Sequence, residues 1–554
     1  MAAKSSGAKL LVNCLINHGV EYIFGIPGAK VDAIFNALVD VRDKIKLIVC
    51  RHEQNAAFMA GIYGRLTGKP GVVLVTSGPG VSNLATGLLT ATTEGDPIVA
   101  MGANVPRAMR LKESHQSTDN VALMTPVTKH SSEVVLAENI PEVVENAFRI
   151  ATTPHCGAVF MSLPQDVLTC ETKAFATKAV PPVEYGSAPE TKIKQAAALI
   201  NHAKQPVFFL GLEASKPKNT EAIRALLKKT PMPVVSTYQA AGVISRDLVK
   251  YFVGRLGLFK NQPGDKLLDV ADVVVTVGYN PVEYDPETWN RKCNKTIIDI
   301  DTNPANIHTT YQPKIELVGD IAKNLNALST HLEKRDTLAH EKFVKKLQQE
   351  LQDKIASGAK FNGKLIHPLR VIHDLNQCSD DTTTIISDVG THYMWLARYL
   401  FSYEPHHLLF SNGQQTLGVA LPWAIATTLV RPHKKVISIS GDGGFLFSAM
   451  ELETAVRENC HFVHCVWVDG SYDMVAEQEL MKYKRTSGVD FGPVNIVDYA
   501  KSFGAKGYAV NHSDALLETL QEALNDEGPV LIQIPIDYSD NLELFKSACD
   551  NLGH

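Results

Sequence analysis

The sequence predicts an α/β protein of three domains, each a doubly wound parallel sheet, and three observations carry that prediction. The chain has 554 residues, too many for one core and enough for about three or four domains. Short apolar runs alternate with stretches of helical spacing, the pattern of successive βαβ units. The clearest pair of runs ends at Ser440-Gly-Asp-Gly-Gly444 and at Val466-Trp-Val-Asp469, and residues 446–458 between them have the apolar spacing of a crossover helix.

The first domain is expected over residues 1–171, with strands at 22–25, 47–51, 71–76, 98–102 and 158–163. A polar, Pro-rich linker follows at 172–190. The second domain is expected over 191–333, with strands at 206–212, 234–237, 273–278 and 296–301. Residues 334–366 form a second linker, whose charged part up to 360 reads as a solvated helix. The third domain, 367–554, holds the paired acidic motif and closes in a loose tail at 551–554.

Composition excludes several classes. With 45% hydrophobic and 20% charged residues the chain is an ordinary globular protein, and a net charge of −5 offers no basic surface for nucleic acid. No run approaches the roughly 18 apolar residues of a membrane span. The stretch Met1-Ala-Ala-Lys-Ser-Ser-Gly-Ala-Lys9 lacks the apolar core of a signal peptide. The nine cysteines are scattered without a Cys-x-x-Cys, as buried thiols in a reducing cytoplasm would be.

Parallel strands joined by a crossover end on one edge of their sheet. Asp442 and Asp469, 27 positions apart, therefore converge, and two carboxylates beside a Gly-rich turn suit a hard divalent cation that also holds phosphate oxygens. Singly, Gly441-Asp442-Gly443 is more often a turn with a helix-capping Asp; the pairing lifts it above that. In the first domain, Arg51-His52-Glu53 stands where a strand hands over to a helix, where Glu is ordinarily a solvated first-turn residue. Two turns nearby, Phe24-Gly-Ile-Pro-Gly-Ala-Lys30 and Thr76-Ser-Gly-Pro-Gly-Val-Ser-Asn83, lead into helices and could present amides to a ligand. Neither matches a dinucleotide fingerprint.

Together these motifs resemble the thiamine diphosphate (ThDP)-dependent enzymes of the pyruvate oxidase and decarboxylase group. That resemblance names the domains in order as pyrimidine-binding, central and diphosphate-binding. Three finer stretches, Ser114-His-Gln-Ser-Thr-Asp119, Asp388-Val-Gly-Thr-His-Tyr-Met-Trp395 and Ser411-Asn-Gly-Gln-Gln-Thr-Leu-Gly-Val-Ala-Leu-Pro-Trp423, resemble the acetolactate synthase family of the catabolic type. The resemblance implies condensation of two pyruvates to 2-acetolactate and CO₂. It implies that Glu53 bonds the pyrimidine N1′ of the cofactor, and that Asp442, Asp469 and the carbonyl of Ser471 hold Mg²⁺ on the diphosphate. Most relatives have Asn at the second position; Asp there fits the catabolic type.

Further roles follow from the same resemblance. Thr391, His392, Gly443 and Gly444 would touch the diphosphate, with Gly441, Tyr472 and Met474 as additional cofactor contacts. Leu417 would wedge the cofactor into a bent shape, although a plain core leucine would look the same in sequence. The carbonyl of Gln415 would face the 4′-amino group. Gln116 and Gln478 stand on the substrate side, and Lys30 is a weaker candidate, since a lysine after a turn is usually just solvated. The site would form between two chains, which implies a homodimer at least and a homotetramer by preference.

The closest rival is a biosynthetic, FAD-containing acetohydroxyacid synthase. Such relatives carry Arg-Phe-Asp-Asp-Arg where this chain has Val273-Val-Val-Thr-Val-Gly-Tyr-Asn-Pro-Val-Glu-Tyr284, and a Trp where it has Gln478. Both departures argue against FAD. A catalytically silent protein of the same fold should lack Glu53 or an acidic metal ligand, and this chain has them all.

Overall fold

The structure, a computed structural model, describes residues 5–551 except 111, 336, 337 and 339, with backbone alone from 547 onward. Of the loose tail expected at 551–554, Asn551 instead ends the helix Leu542–Asn551, and 552–554 lie outside the described residues.

Three six-stranded sheets, each wholly parallel, organise the chain. The first has the spatial order Lys46–Val49, Tyr22–Gly25, Gly71–Val75, Ile98–Asn104, Ala158–Pro164, His130–Glu133. The second runs Phe252–Leu256, Val234–Thr237, Pro206–Leu210, Val273–Val277, Thr296–Asp301, Ile315–Val318. The third runs Leu408–Leu409, Thr384–Ser387, Val436–Gly441, Phe462–Val468, Pro529–Pro535, Lys506–Ala509. The central strands are almost wholly buried, and Gly71–Val75 and Val273–Val277 read as Val-rich apolar runs, as strands covered on both faces do.

The elements missed by the sequence reading are mostly edge strands. His130–Glu133 is His-Ser-Ser-Glu and Lys506–Ala509 is Lys-Gly-Tyr-Ala, neither with an apolar run. The helix expected over 446–458 is broken: Asp442–Leu446 is a short helix, Ala449–Glu451 a 3₁₀ turn, and Leu452–Arg457 a second helix. Leu446, Phe447 and Met450 on the broken stretch are exposed in the single chain. In the linker at 334–366, Glu341–Ala356 is helical, but it buries Val344, Leu347 and Leu351 and is not fully solvated. Cys14, Cys50, Cys378, Cys460 and Cys465 are buried free thiols. Among the described residues no helix is long and apolar enough to cross a membrane.

Contacts divide the chain into two compact units. One comprises Met1–Val183 with Leu421–His433 and Ser448–Cys460; the other comprises Glu184–Ala420, Lys434–Phe447 and His461–His554. Two segments from late in the chain thus join the first sheet's unit. Glu458 pairs with Lys46 at 2.8 Å, and the Arg65 guanidinium lies 4.7 Å over the Trp423 ring.

Candidate active site

The strand Val436–Gly441 is in register with Phe462–Val468, Gly441 opposite Trp467, so Asp442 and Asp469 leave the sheet side by side. Asp442 Oδ1 accepts the Gly443 amide at 2.9 Å, and Oδ2 accepts the amides of Asp469 at 3.2 Å and Gly470 at 2.9 Å. Burial raises the Asp442 carboxyl above the ordinary range. Asp469, open to solvent on one side and crowded on the other, is raised by lost hydration and by the charges of Asp442 and Asp473. Burial raises Asp473 as well. Among the described residues no group of three or more His, Cys, Asp or Glu forms a self-contained metal site. Two carboxylates and a backbone carbonyl, completed by ligand oxygens, are nonetheless the kind of set Mg²⁺ uses with phosphate.

The surrounding residues fit a diphosphate. A Cβ on Gly443 would fall 2.7 Å from the Tyr472 ring and 3.3 Å from Phe491, so only glycine leaves the backbone bare there. Thr391 begins the helix Thr391–Tyr399, and its hydroxyl donates to Asp473 Oδ2 at 2.7 Å. His392, next along, is buried and held neutral, its pKa lowered to about 3 by desolvation. Among the described residues its Nε2 has no hydrogen-bond partner. A buried polar atom without a partner costs about 1–3 kcal/mol, so this one suits a ligand oxygen.

Asp388, quoted in the sequence only as part of a motif, ties these pieces together. Its buried carboxyl, pushed up to about 6 by desolvation, accepts the amides of Val389 at 2.7 Å, Gly418 at 2.9 Å and Ala420 at 3.3 Å. Gly444 packs on it, for a Cβ there would lie 3.4 Å from the carboxyl. Asp388 thus joins residues 388–392, the glycines after Asp442 and the loop carrying Gln415 and Leu417. Gln415 has φ 49°, a left-handed conformation, and Leu417 is half-buried, not part of the core. Met474 packs partly buried against the core, whereas Tyr472 and Gln478 are exposed.

Glu53 and Gln116 lie in the other compact unit. Glu53 is the first residue of the helix Glu53–Thr67, capped by His52 Nδ1 accepting from the Gln54 amide at 3.1 Å. Its Oε2 accepts from Asn83 Nδ2 at 2.9 Å, and a Cβ on Gly80 would come within 3.6 Å of Oε1. Gln116, at φ 61°, accepts from Ser77 Oγ at 3.2 Å. Glu53, the turn 77–83 and Gln116 therefore form one neighbourhood. Lys30 is half-buried on the turn whose Gly28 packs on Thr76.

Sequence reasoning missed Glu451. This fully buried carboxylate accepts the amides of Arg51 at 2.9 Å and His52 at 3.0 Å, Asn55 Nδ2 at 3.1 Å and Thr454 Oγ1 at 2.6 Å. It fixes the strand end that presents Glu53, from a position about 400 residues away in the chain. No local pattern signals such a partner; its nearness to the Gly-Asp-Gly motif was the only hint.

Family comparisons agree with this layout. Residues 5–123 match the thiamine pyrophosphate enzyme N-terminal TPP binding domain, 193–328 its central domain, and 388–534 its C-terminal TPP binding domain. The chain is 54% identical over 542 residues to "Acetolactate synthase" of Bacillus subtilis (strain 168), covering 98% of this chain and 95% of that protein. It is 47% identical to "Acetolactate synthase, catabolic" of Raoultella terrigena, covering 97% and 96%. Identity to "Acetolactate synthase isozyme 1 large subunit" of Escherichia coli (strain K12) is 30%, covering 97% and 95%. With three matching domains and such identity along nearly its whole length, the chain belongs to the acetolactate synthase family of thiamine pyrophosphate enzymes.

Proposed function

We propose that this chain joins two molecules of pyruvate into 2-acetolactate with loss of one CO₂, using ThDP and Mg²⁺ and no FAD. The observation that carries this reading is the crowded acidic edge of the third sheet, Asp442 with Asp469, in a chain aligned end to end with acetolactate synthases. The domain limits that go with it are 1–171, 191–333 and 367–554. The active form is a homodimer at least, with a tetramer expected, in the cytoplasm.

Bound ThDP supplies the nucleophilic carbon and the electron sink for decarboxylation. Asp442, Asp469 and the Ser471 carbonyl would hold Mg²⁺, whose charge would offset the mutual repulsion of the acids. Thr391, His392 and the amides near Gly441, Gly443 and Gly444 bind the diphosphate oxygens; Tyr472 and Met474 flank them. Glu53 holds a proton at the pyrimidine N1′, oriented by Asn83. Leu417 and the Gln415 carbonyl would bear on the bound cofactor and orient it, and Asp388 fixes their loop. Gln116 and Gln478 face the substrate. Exclusion of water matters, because a proton delivered early would divert the two-carbon unit to acetaldehyde.

Removing and restoring the cofactor tests this. Protein stripped by chelation and dialysis should neither consume pyruvate nor form acetolactate. ThDP with Mg²⁺ should restore both without added flavin, and the holoenzyme should lack a flavin absorption band. Acetolactate formation that needs stoichiometric FAD, or none on adding ThDP and Mg²⁺, would overturn it.

A further inference from the structure

In chain order, the strands of the second sheet are arranged third, second, first, fourth, fifth, sixth. The order reverses between Pro206–Leu210 and Val273–Val277, and the crevice at the carboxyl ends of such strands is where doubly wound sheets take anionic ligands. Here the crevice holds a side chain of the chain itself. Glu283, 3% exposed, follows the fourth strand and turns back, its own amide donating to the Asn280 carbonyl at 2.9 Å. The Leu212 amide, just past the first strand, donates to both carboxylate oxygens at 3.1 and 3.0 Å. The Asn280 amide donates to Oε1 at 3.0 Å, and the Thr237 hydroxyl, at the end of the second strand, to Oε2 at 2.6 Å.

These donors belong to three adjacent strand ends, so the sheet fixes their convergence. Two glycines make room for it. A Cβ on Gly211 would lie 2.4 Å from the Gly278 carbonyl and 2.8 Å from Glu283 Oε1, and Gly278 has φ 56°. Converging backbone amides of this kind form an anion-binding concavity. The Glu283 carbonyl also accepts Asn412 Nδ2 at 2.7 Å, so the filled crevice anchors the start of the loop that carries Gln415 and Leu417.

We propose that the switch point of the central sheet is an anion site that the chain fills with its own Glu283 carboxylate, and that a free carboxylate or phosphate occupies it when that side chain is removed. The test uses holoenzyme saturated with ThDP and Mg²⁺, so that the diphosphate site is full, and follows thermal unfolding of Glu283→Ala. Acetate or inorganic phosphate, at matched ionic strength against chloride, should raise its midpoint saturably, by roughly 2 °C at ten times the Kd. Wild type should not respond. Glu283→Gln fills the space but turns an amide N–H toward the donors, so its midpoint should fall and stay insensitive to acetate. If Glu283→Ala fails to fold in chloride, refolding yield becomes the readout, with recovery expected in acetate. Acetate and phosphate acting on Glu283→Ala no more than on wild type, or no recovery of yield, would overturn the proposal.

Discussion

Glu53 has its Oε2 tied to Asn83 and its Oε1 beside Gly80, 3.6 Å from where a Cβ there would stand. That arrangement holds one carboxylate at the head of a helix, as acid–base duty requires. Glu53→Gln should keep the fold and the ThDP complex while lowering turnover about 10²–10⁴-fold; wild-type turnover at saturating ThDP would remove Glu53 from the mechanism. Asp442→Ala strips a hard oxygen and the acceptor of three amides. It should abolish Mg²⁺-supported ThDP binding in a titration, and unchanged affinity would place the cation elsewhere. Gln478 is exposed on the helix Asp473–Tyr483 in the single chain. If it faces the acceptor, Gln478→Trp should raise the product ratio from 2-ketobutyrate over pyruvate, since one methylene in an apolar pocket is worth roughly 1–3 kcal/mol. Identical ratios would take Gln478 out of the site. The placing of Glu53 and Asp442 at the hand-over from strand to helix could be read in the sequence because their motifs are short and contiguous. Glu451 and Asp388 could not be read so, because what marks them is a set of backbone amides brought in from elsewhere.

Among the elements, the loop 415–420 depends on Asp388, whose carboxyl takes the amides of Gly418 and Ala420. Asp388→Ala leaves these donors buried and unpaired, at about 1–3 kcal/mol each. It should weaken ThDP affinity together with stability, a combination checked by cofactor titration alongside denaturant unfolding. Full affinity in a destabilised protein would confine Asp388 to folding. Interior strands such as Gly71–Val75 and Val273–Val277 could be read directly, because a doubly covered strand can be an unbroken apolar run, whereas Thr384–Ser387 and Pro529–Pro535, also interior, were not among the expected strands. Edge strands such as His130–Glu133 are specified by the backbone edge of a neighbour, which leaves no mark on their own composition. The break at Phe447–Ser448 in the expected crossover helix was invisible for a related reason. Apolar spacing continues across it, while Ser448–Cys460 packs in the unit of the first sheet.

For the whole molecule, three sheets in one chain were foreseeable from length and alternation, but the grouping of 421–433 and 448–460 with the first sheet's unit was not. Contacts between segments hundreds of residues apart have no local signature. A buried acid in the central sheet gives the molecule a pH-dependent stability. Asp299 accepts Thr276 Oγ1 at 2.8 Å and Tyr311 OH at 2.7 Å, and desolvation, aided by the charge of Asp301, raises it to about 7. In the unfolded chain its pKa is about 3.9. The folded state therefore binds the extra proton between these values, and stability is lost as pH rises from about 4 through 7. Asp299→Asn, which keeps the acceptor and removes the titration, should reduce the fall in unfolding midpoint between pH 5 and pH 7.5. A fall as large as in wild type would contradict the assignment.

In the proposed reaction a second pyruvate, not a proton, takes the two-carbon unit left by the first. Following ¹³C-labelled pyruvate by NMR with the ThDP- and Mg²⁺-loaded protein tests it most directly. One CO₂ and one 2-acetolactate should form for every two pyruvates consumed, with acetaldehyde a minor product. One CO₂ and one acetaldehyde for every pyruvate would contradict it.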